Sequence, residues 1–162
     1  MTDLPSESVE GIDRAIQDVE QQFRLIFAGA RASLLDHAKR IHPELQPAGY
    51  KVVDLLVRHG PLHAGEVARL LVSDKSLISR TVKQLAELQL VTRQLDPRDG
   101  RAWLLEATTD ARRRVENLAS ADQQLLYERM RGWTTDQVVQ LAELLTKLNE
   151  TFAVQHPDSS NV

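Results

Sequence analysis

The sequence predicts a mainly α-helical protein with a small β-hairpin, and three observations lead to this fold class. The 162 residues include only 7 glycines and 6 prolines, and this scarcity of chain breakers favours long helices over an all-β fold. Apolar residues recur at helical spacing along most of the chain. One cluster rich in Asp, Pro and Gly separates two short β-prone runs, which is the pattern of a hairpin.

The composition excludes several classes of protein. The chain has no cysteine, which excludes disulfides, thiolate metal sites and thiol-based redox sensing within it. No apolar run approaches the ~18 residues that a membrane span requires. The polar, acidic first residues lack the basic and apolar parts of a signal peptide. We therefore expect a cytoplasmic protein without membrane contact, and the sequence indicates no cofactor.

An N-terminal dimerisation segment is predicted at residues 9–44, after a flexible tail at 1–8. Its apolar residues follow alternating steps of four and three, which is typical of a helix that packs along another helix. A helix of about 30 residues spans ~45 Å, more than the diameter of a small domain, so part of this seam needs a partner outside the monomer's own core. We expect a dimer interface that includes Ile12, Ile16, Val19 and Phe23.

Residues 45–107 are predicted to form a winged helix-turn-helix. After a first helix that ends before His59-Gly60-Pro61, two helices separated by a three-residue turn have the spacing of a helix-turn-helix. Two β-prone runs on either side of a polar loop then form the hairpin, or wing. The expected bounds are about 47–58, 63–71 and 75–88 for the helices, with Ser73 or Asp74 capping the last, and 91–95 and 102–106 for the strands, with the wing at about 91–106.

Two helices are predicted in the C-terminal segment 108–154, which is assigned to dimerisation. Thr108 or Thr109 caps the first, which reaches about Met130, and Thr134 or Thr135 caps the second. The second helix carries another apolar seam, expected at the dimer interface through Leu141, Leu145 and Leu148. Residues 155–162 are predicted to form a flexible tail.

The candidate site combines one face of the helix at 75–88 with the tip of the wing. The net charge of −3 conceals a formal charge of +3 on residues 51–101, which favours a polyanionic partner. Opposite its apolar side, the helix presents small and cationic residues that suit a DNA groove, and the loop adds two arginines. The alternative is a solvated helix face and a solvated loop, with Asp96 and Asp99 as weak surface ion-pair partners. The candidates are Lys75, Ser76, Ser79, Arg80, Lys83, Arg98 and Arg101.

These motifs resemble the MarR family of bacterial transcriptional regulators. The resemblance is carried by the Ala-Gly-Glu-Val-Ala-Arg-Leu-Leu helix, by Ser76, Ser79-Arg80 and Leu85, by Val91-Thr92-Arg93, and by the wing Asp96-Pro97-Arg98-Asp99-Gly100-Arg101. The core of the match covers about 45–115, and the flanking helices extend it over nearly the whole chain. The sequence departs from the family pattern at Gln89, where a Gly usually follows the recognition helix, and at Ala107 and Ala111.

The resemblance implies a homodimer whose terminal helices interlock and whose two winged helices enter successive major grooves of a pseudo-palindromic operator in double-stranded DNA. Arg98 and Arg101 would contact the DNA, with Arg98 in or over the minor groove, while Asp96 and Asp99 brace the wing. Regulators of this family usually repress, and many leave DNA when a small, often aromatic or anionic, effector binds. A winged helix that docks an acidic protein instead of DNA is the alternative function.

Other residues give weaker indications. The pairs His59/His63 and His37/His42 lack the spacing and the cysteines of a zinc site, so ordinary core or surface histidines are expected, and no metal. Tyr50 and Trp103 are expected in the core rather than in an effector pocket, and Arg112-Arg113-Arg114 suit either a solvated helix start or a phosphate contact. No nucleophile and base, phosphate-binding loop or carboxylate pair stands out, so we do not expect an enzyme.

Overall fold

A computed structural model of the chain describes residues 6–155, with side chains described from 11 to 150, and it confirms the mainly α-helical fold with a small sheet. The helices that it describes are α1 Ser6–Ile41, α2 Pro47–His59, α3 Ala64–Leu70, α4 Lys75–Glu87, α5 Thr109–Met130 and α6 Thr135–Gln155. The strands are β1 Leu62–His63, β2 Val91–Leu95 and β3 Trp103–Ala107. The chain divides into two compact units, residues 1–51 and 52–162. No helix in the described range is long and apolar enough to cross a membrane.

The first unit consists of α1 and the beginning of α2. With 36 residues, α1 is about 54 Å long and begins at Ser6, three residues before the predicted start. Residues 11–32 of this helix are largely exposed, including 57% of Ile12, and among its residues from 11 onwards the buried ones are His37, Ala38 and Ile41. The remaining residues of the predicted flexible tails, 1–5 and 156–162, lie outside the described range.

The second unit holds the core on which α4 packs. Apolar residues along one side of α2, α3 and α4 are largely withdrawn from water, because each helix has a single apolar stripe. Leu70, Leu71 and Leu88 are half-buried. Almost completely buried are Val53, Leu56, Val67, Ile78, Val82 and Leu85.

A three-stranded antiparallel sheet with the order β1-β3-β2 forms the wing and its base. The hairpin pairs Val91 with Ala107 and Leu95 with Trp103, so β3 begins one residue later than predicted. The strand β1, which pairs His63 with Leu104, was not predicted, because two residues are too few to show an alternating pattern.

The junction between α4 and the wing is closed by Thr108. Its hydroxyl donates to the Gln89 carbonyl at 3.0 Å and accepts the Ala111 amide at 3.3 Å, so Thr108, and not Thr109, caps α5. Gln89 has a φ of 57°, the left-handed conformation that favours glycine. The residue that departs from the family pattern therefore keeps a backbone conformation for which glycine is better suited.

We expect Gln89→Gly to stabilise the protein by about 0.5–1 kcal/mol. Left-handed backbone costs an L-residue about 1–2 kcal/mol, and the greater freedom of glycine in the unfolded chain offsets part of the gain. Urea denaturation of the variant measures the change in unfolding free energy. Gln89→Ala is the matched control, because it removes the side chain but keeps the Cβ; a gain of equal size for both variants would contradict the assignment of strain to this residue.

Candidate nucleic-acid interface

The start of α4 is fixed by Asp74, one of the two capping residues that the sequence suggested. Its carboxylate accepts the backbone N–H groups of Ser76 at 2.7 Å and Leu77 at 3.3 Å, and also the Ser76 hydroxyl. These hydrogen bonds, with that of the hydroxyl foremost, lower the pKa of Asp74. An ionised cap therefore holds the first turn of the helix that carries the candidate residues.

The turn before α4 contains an unusual residue. Val72 has a φ of 47° and is 95% exposed, although β-branched residues rarely adopt left-handed backbone. The backbone N–H of Ser73 donates to the Ala68 carbonyl at 2.9 Å and closes the turn on α3. This hydrogen bond fixes the path of the chain from α3 into the start of α4.

The outward face of α4 presents the five residues predicted for DNA contact. Lys75, Ser76, Ser79, Arg80 and Lys83 are all exposed, opposite the buried residues of the same helix. The Arg80 guanidinium donates weakly to the Ser76 carbonyl at 3.4 Å. The ammonium groups of Lys75 and Lys83 make no hydrogen bond or ion pair with any described residue, so they are available to an anionic partner.

One buried residue of α4 was not predicted. Thr81 lies beside Ile78 and Val82 on the buried side, with its small polar side chain out of solvent. Its one-residue offset from the apolar positions of a helical stripe was the signal that could have placed it there.

The loop of the wing is braced by the two aspartates named from the sequence. Asp96 accepts the backbone N–H of Arg98 at 2.8 Å, and Asp99 accepts that of Arg101 at 3.1 Å. The hydrogen bond from Arg98 is the main cause of the lowered pKa of Asp96. Within the described residues neither carboxylate forms an ion pair with an arginine of the loop, so the exposed guanidinium groups of Arg98 and Arg101 remain unpaired.

The three arginines at the start of α5 are engaged within the second unit. Arg112 Nη1 donates to the Val57 carbonyl at 3.0 Å, near the end of α2. Arg113 and Arg114 contact the Asp110 carboxylate at 2.6 and 2.7 Å, and the bond from Arg113 is the main cause of the lowered pKa of Asp110. The sequence did not reveal these contacts. The hydrogen bond of Arg112 links α5 with α2.

The residues predicted at the dimer interface line two surfaces, each within its own unit. On α1 the three aliphatic members are at least half exposed, and Phe23 stacks on Phe27 with ring centroids 5.9 Å apart. On α6, Leu145 is exposed, while Leu141 and Leu148 are half-buried. Both surfaces therefore leave apolar area uncovered in the single chain.

The histidines and aromatic residues occupy varied surroundings. His37 is buried, lies 3.2 Å from the Ser33 hydroxyl and packs on Tyr50 with centroids 5.4 Å apart, so Tyr50 is a core residue as expected. The same expectation for Trp103 is wrong, because its side chain is 54% exposed at the loop end of β3. Across residues 11–150, no three metal-binding side chains cluster.

The order of these elements defines the class of the protein. A capped helix with an exposed serine, lysine and arginine face follows a tight turn, and a hairpin with two unpaired arginines follows the helix. This arrangement is a winged helix-turn-helix.

Comparison with known proteins identifies the family. The sequence model of the MarR family matches residues 45–102. YxaD, an uncharacterized HTH-type transcriptional regulator of Bacillus subtilis, is 31% identical over 126 residues, which cover 75% of this chain and 85% of YxaD. The chain belongs to the MarR family of transcriptional regulators.

Solved structures share the fold over most of the chain. A MarR family protein from Bacillus stearothermophilus superposes with a TM-score of 0.71 at 19% identity, covering 87% of this chain and 97% of its own. RV1404 from Mycobacterium tuberculosis has the same TM-score and identity, and the coverage is 93% and 97%. At this identity the likeness establishes the fold and no more.

We expect the stabilisation of α4 by Asp74 to disappear in acid. Because the pKa of Asp74 is lowered in the folded protein, the cap is fully present above the ordinary carboxyl pKa of about 4, and it is lost as the pH falls through the lower folded value. Asp74→Asn keeps an acceptor oxygen but cannot titrate. In urea denaturation, the difference in unfolding free energy between wild type and variant should be largest near neutral pH and shrink towards pH 3.

Asp18→Asn is the control for this experiment, because Asp18 is an exposed carboxyl on α1 without a hydrogen bond or ion pair to the described residues. Its difference from wild type should stay small at every pH. A difference for Asp74→Asn that does not change between neutral pH and pH 3 would contradict the ionised cap.

Proposed function

We propose that this MarR-family regulator is a homodimeric repressor that binds double-stranded DNA at a pseudo-palindromic operator and is released by a small-molecule effector. One observation carries the proposal. An exposed cationic face on α4 occurs together with two arginines at the tip of the wing that form no ion pair with the described residues. In this proposal residues 45–107 bind DNA, and residues 9–44 and 108–154 form the dimer.

The division of labour between α4 and the wing follows from their dimensions. A helix with its side chains is about 10–12 Å across and fits the ~12 Å major groove of B-DNA. Ser76 and Ser79 allow close approach, Arg80 reaches guanine edges, and Lys75 and Lys83 contact phosphates. The narrow hairpin carries Arg98 and Arg101 beside the helix, where Arg98 enters or lies over the minor groove.

The uncovered apolar surfaces support the dimer. Ile12, Ile16 and Val19 present about half or more of their surface to water in one chain, and such a contiguous stripe is typical of a protein interface. A second copy covers both this stripe and the seam on α6. Two-fold symmetry then sets two α4 helices one DNA turn apart, so that the half-sites are about 10–10.5 bp apart.

The proposal of repression and of release by an effector is based on membership of the MarR family. Members are transcriptional regulators, and the effector class proposed for this chain is a small aromatic or anionic molecule, with no pocket residues assigned. In this proposal the effector acts by changing the spacing of the two winged helices of the dimer.

Binding to DNA at two salt concentrations tests the function. Lys75, Lys83, Arg98 and Arg101 supply eight unpaired cations in a dimer, and neutralising a similar number of phosphates weakens binding about 10³-fold or more between 50 and 200 mM salt. A mobility-shift assay with sheared genomic DNA, followed by footprinting, measures this effect. Failure to bind DNA at low salt would favour the alternative, a winged helix that docks an acidic protein.

Arg98→Ala and Arg80→Ala should weaken DNA binding in different ways. Loss of a minor-groove arginine should cost about 1–3 kcal/mol per site, graded by the A·T content of the flanking sequence. Loss of Arg80 should change the preference at particular base pairs of each half-site. Both variants should stay folded, because both side chains are exposed. Operators that differ only in their flanks or only in their core distinguish the two effects, and wild-type affinity of Arg98→Ala for all of them would exclude the wing as a DNA element.

Ile16→Glu should disrupt the dimer, whereas Gln21→Glu should not. Ile16 lies in the apolar stripe of α1, and its burial in a dimer contributes about 1.5–3 kcal/mol per side chain, which a carboxylate would forfeit. Gln21 is exposed on the opposite side of the same helix and receives the same new charge. Sedimentation equilibrium gives the dissociation constant of each variant; equal constants for the two would contradict this interface.

A further inference from the structure

His63 occupies a position between the helix-turn-helix and the wing. It is the last residue of β1 and the residue before α3, where its backbone N–H donates to Glu66 Oε2 at 2.9 Å. Its strand pairs with β3 of the hairpin. The backbone of His63 is therefore held by both elements, and its ring, 39% exposed, extends between them.

Both ring nitrogens of His63 face hydrogen-bond acceptors. Nδ1 lies 3.2 Å from the Trp103 carbonyl, and Nε2 lies 3.0 Å from Asp96 Oδ2. A carbonyl can only accept, and the Asp96 carboxyl is ionised because the N–H of Arg98 lowers its pKa. A neutral imidazole has a single N–H, so only the imidazolium can donate to both acceptors at once.

The carboxylate of Asp96 connects the His63 ring with the tip of the wing. Its side chain is only 12% exposed, and a carboxylate removed from water in this way requires partners. While Oδ2 contacts His63, Oδ1 accepts the Arg98 backbone N–H at 2.8 Å. A single carboxylate thus connects the imidazole ring with the backbone of the arginine proposed to enter the minor groove.

The charged groups that face His63 come from two elements. Asp96 approaches from the hairpin loop and Glu66 from α3, while β3 contributes the uncharged carbonyl of Trp103. Carboxyl groups ordinarily titrate near pH 4, whereas imidazoles titrate between about pH 5 and 8. Of the two kinds of titratable group in this cluster, imidazole is the one whose ordinary range covers neutral pH.

We infer that His63 is a positioning residue for DNA binding: its imidazolium bridges Trp103 and Asp96 and so holds the wing, and with it Arg98, in the DNA-binding arrangement. When the ring gives its second proton to water, a lone pair faces one of the two acceptors and that hydrogen bond is lost. The wing is then held less firmly, and DNA affinity falls as the pH rises. This inference rests on the proposed DNA-binding function.

A pH series of binding measurements tests the inference. Fluorescence anisotropy with an operator duplex at constant salt should show the dissociation constant of the wild type rising about three- to tenfold between pH 6 and 8.5, the size expected for one lost hydrogen bond. His63→Gln, which cannot titrate, should show a flat profile. His59→Gln is the matched control, because the His59 side chain is exposed at the end of α2 and makes no hydrogen bond or ion pair with the described residues; it should keep the wild-type profile.

Nuclear magnetic resonance of the wild-type protein without DNA gives a test that depends neither on the variants nor on the proposed function. The ring nitrogens of His63 and the backbone amide of Arg98 should titrate with the same midpoint. If the protein binds no DNA at any pH, the proposed function fails. The titration still decides whether His63 and Asp96 together hold the backbone of Arg98. A ring titration that leaves the Arg98 amide unmoved, or a wild-type pH profile in His63→Gln, would overturn the inference.

Discussion

The burial of one side of α4 is the constraint on which the proposed interface depends. Ile78, Val82 and Leu85 are almost completely removed from water, and exposing any of them by turning the helix would cost about 1.5–3 kcal/mol. The helix therefore has one rotational setting, and this setting fixes the side of the helix on which its serines, lysines and arginine are exposed. The Asp74 cap at one end and the junction at Thr108 near the other set its length and the path of the chain into the wing.

Regular segments were predictable from the sequence, whereas contacts between distant residues were not. The bounds of α4 and α5 agree with expectation to within one residue, because strong periodicity and recognisable caps mark their ends. The exposure of all seven candidate DNA-contacting side chains also followed from periodicity and turn chemistry. The contact of Asp96 with His63, 33 positions away, leaves no local pattern. Likewise, Trp103 shares a face of β3 with the buried Leu105 and Ala107, so alternation alone places it in the core; it is exposed because it lies at the loop end of the strand, paired with the exposed Leu95.

The acidic residues near the interface organise backbone more than they neutralise cations. Asp74, Asp96 and Asp99 each accept backbone N–H groups two or three residues further on, at the start of α4 or within the wing loop. These carboxylates hold the local backbone and form no ion pair with the described lysines and arginines of the proposed site. The positive charges of those lysines and arginines are therefore available to a partner. A chain with a net charge of −3 can in this way present a cationic surface, because the sign of a surface depends on where the charges are held and not on their sum.

In the proposed dimer, the length of α1 links the stability of this segment to the concentration of the protein. Packing within one chain gives little stability to a helix of 36 residues whose apolar side is uncovered. In the proposed dimer, much of the stability of this helix therefore comes from association. The folded fraction of such a segment rises with protein concentration, and operator occupancy then follows the square of the monomer concentration at low abundance. For the proposed dimeric repressor, a lower amount of the protein reduces operator occupancy more steeply than in proportion, so gene dosage and dilution during growth affect the proposed repression.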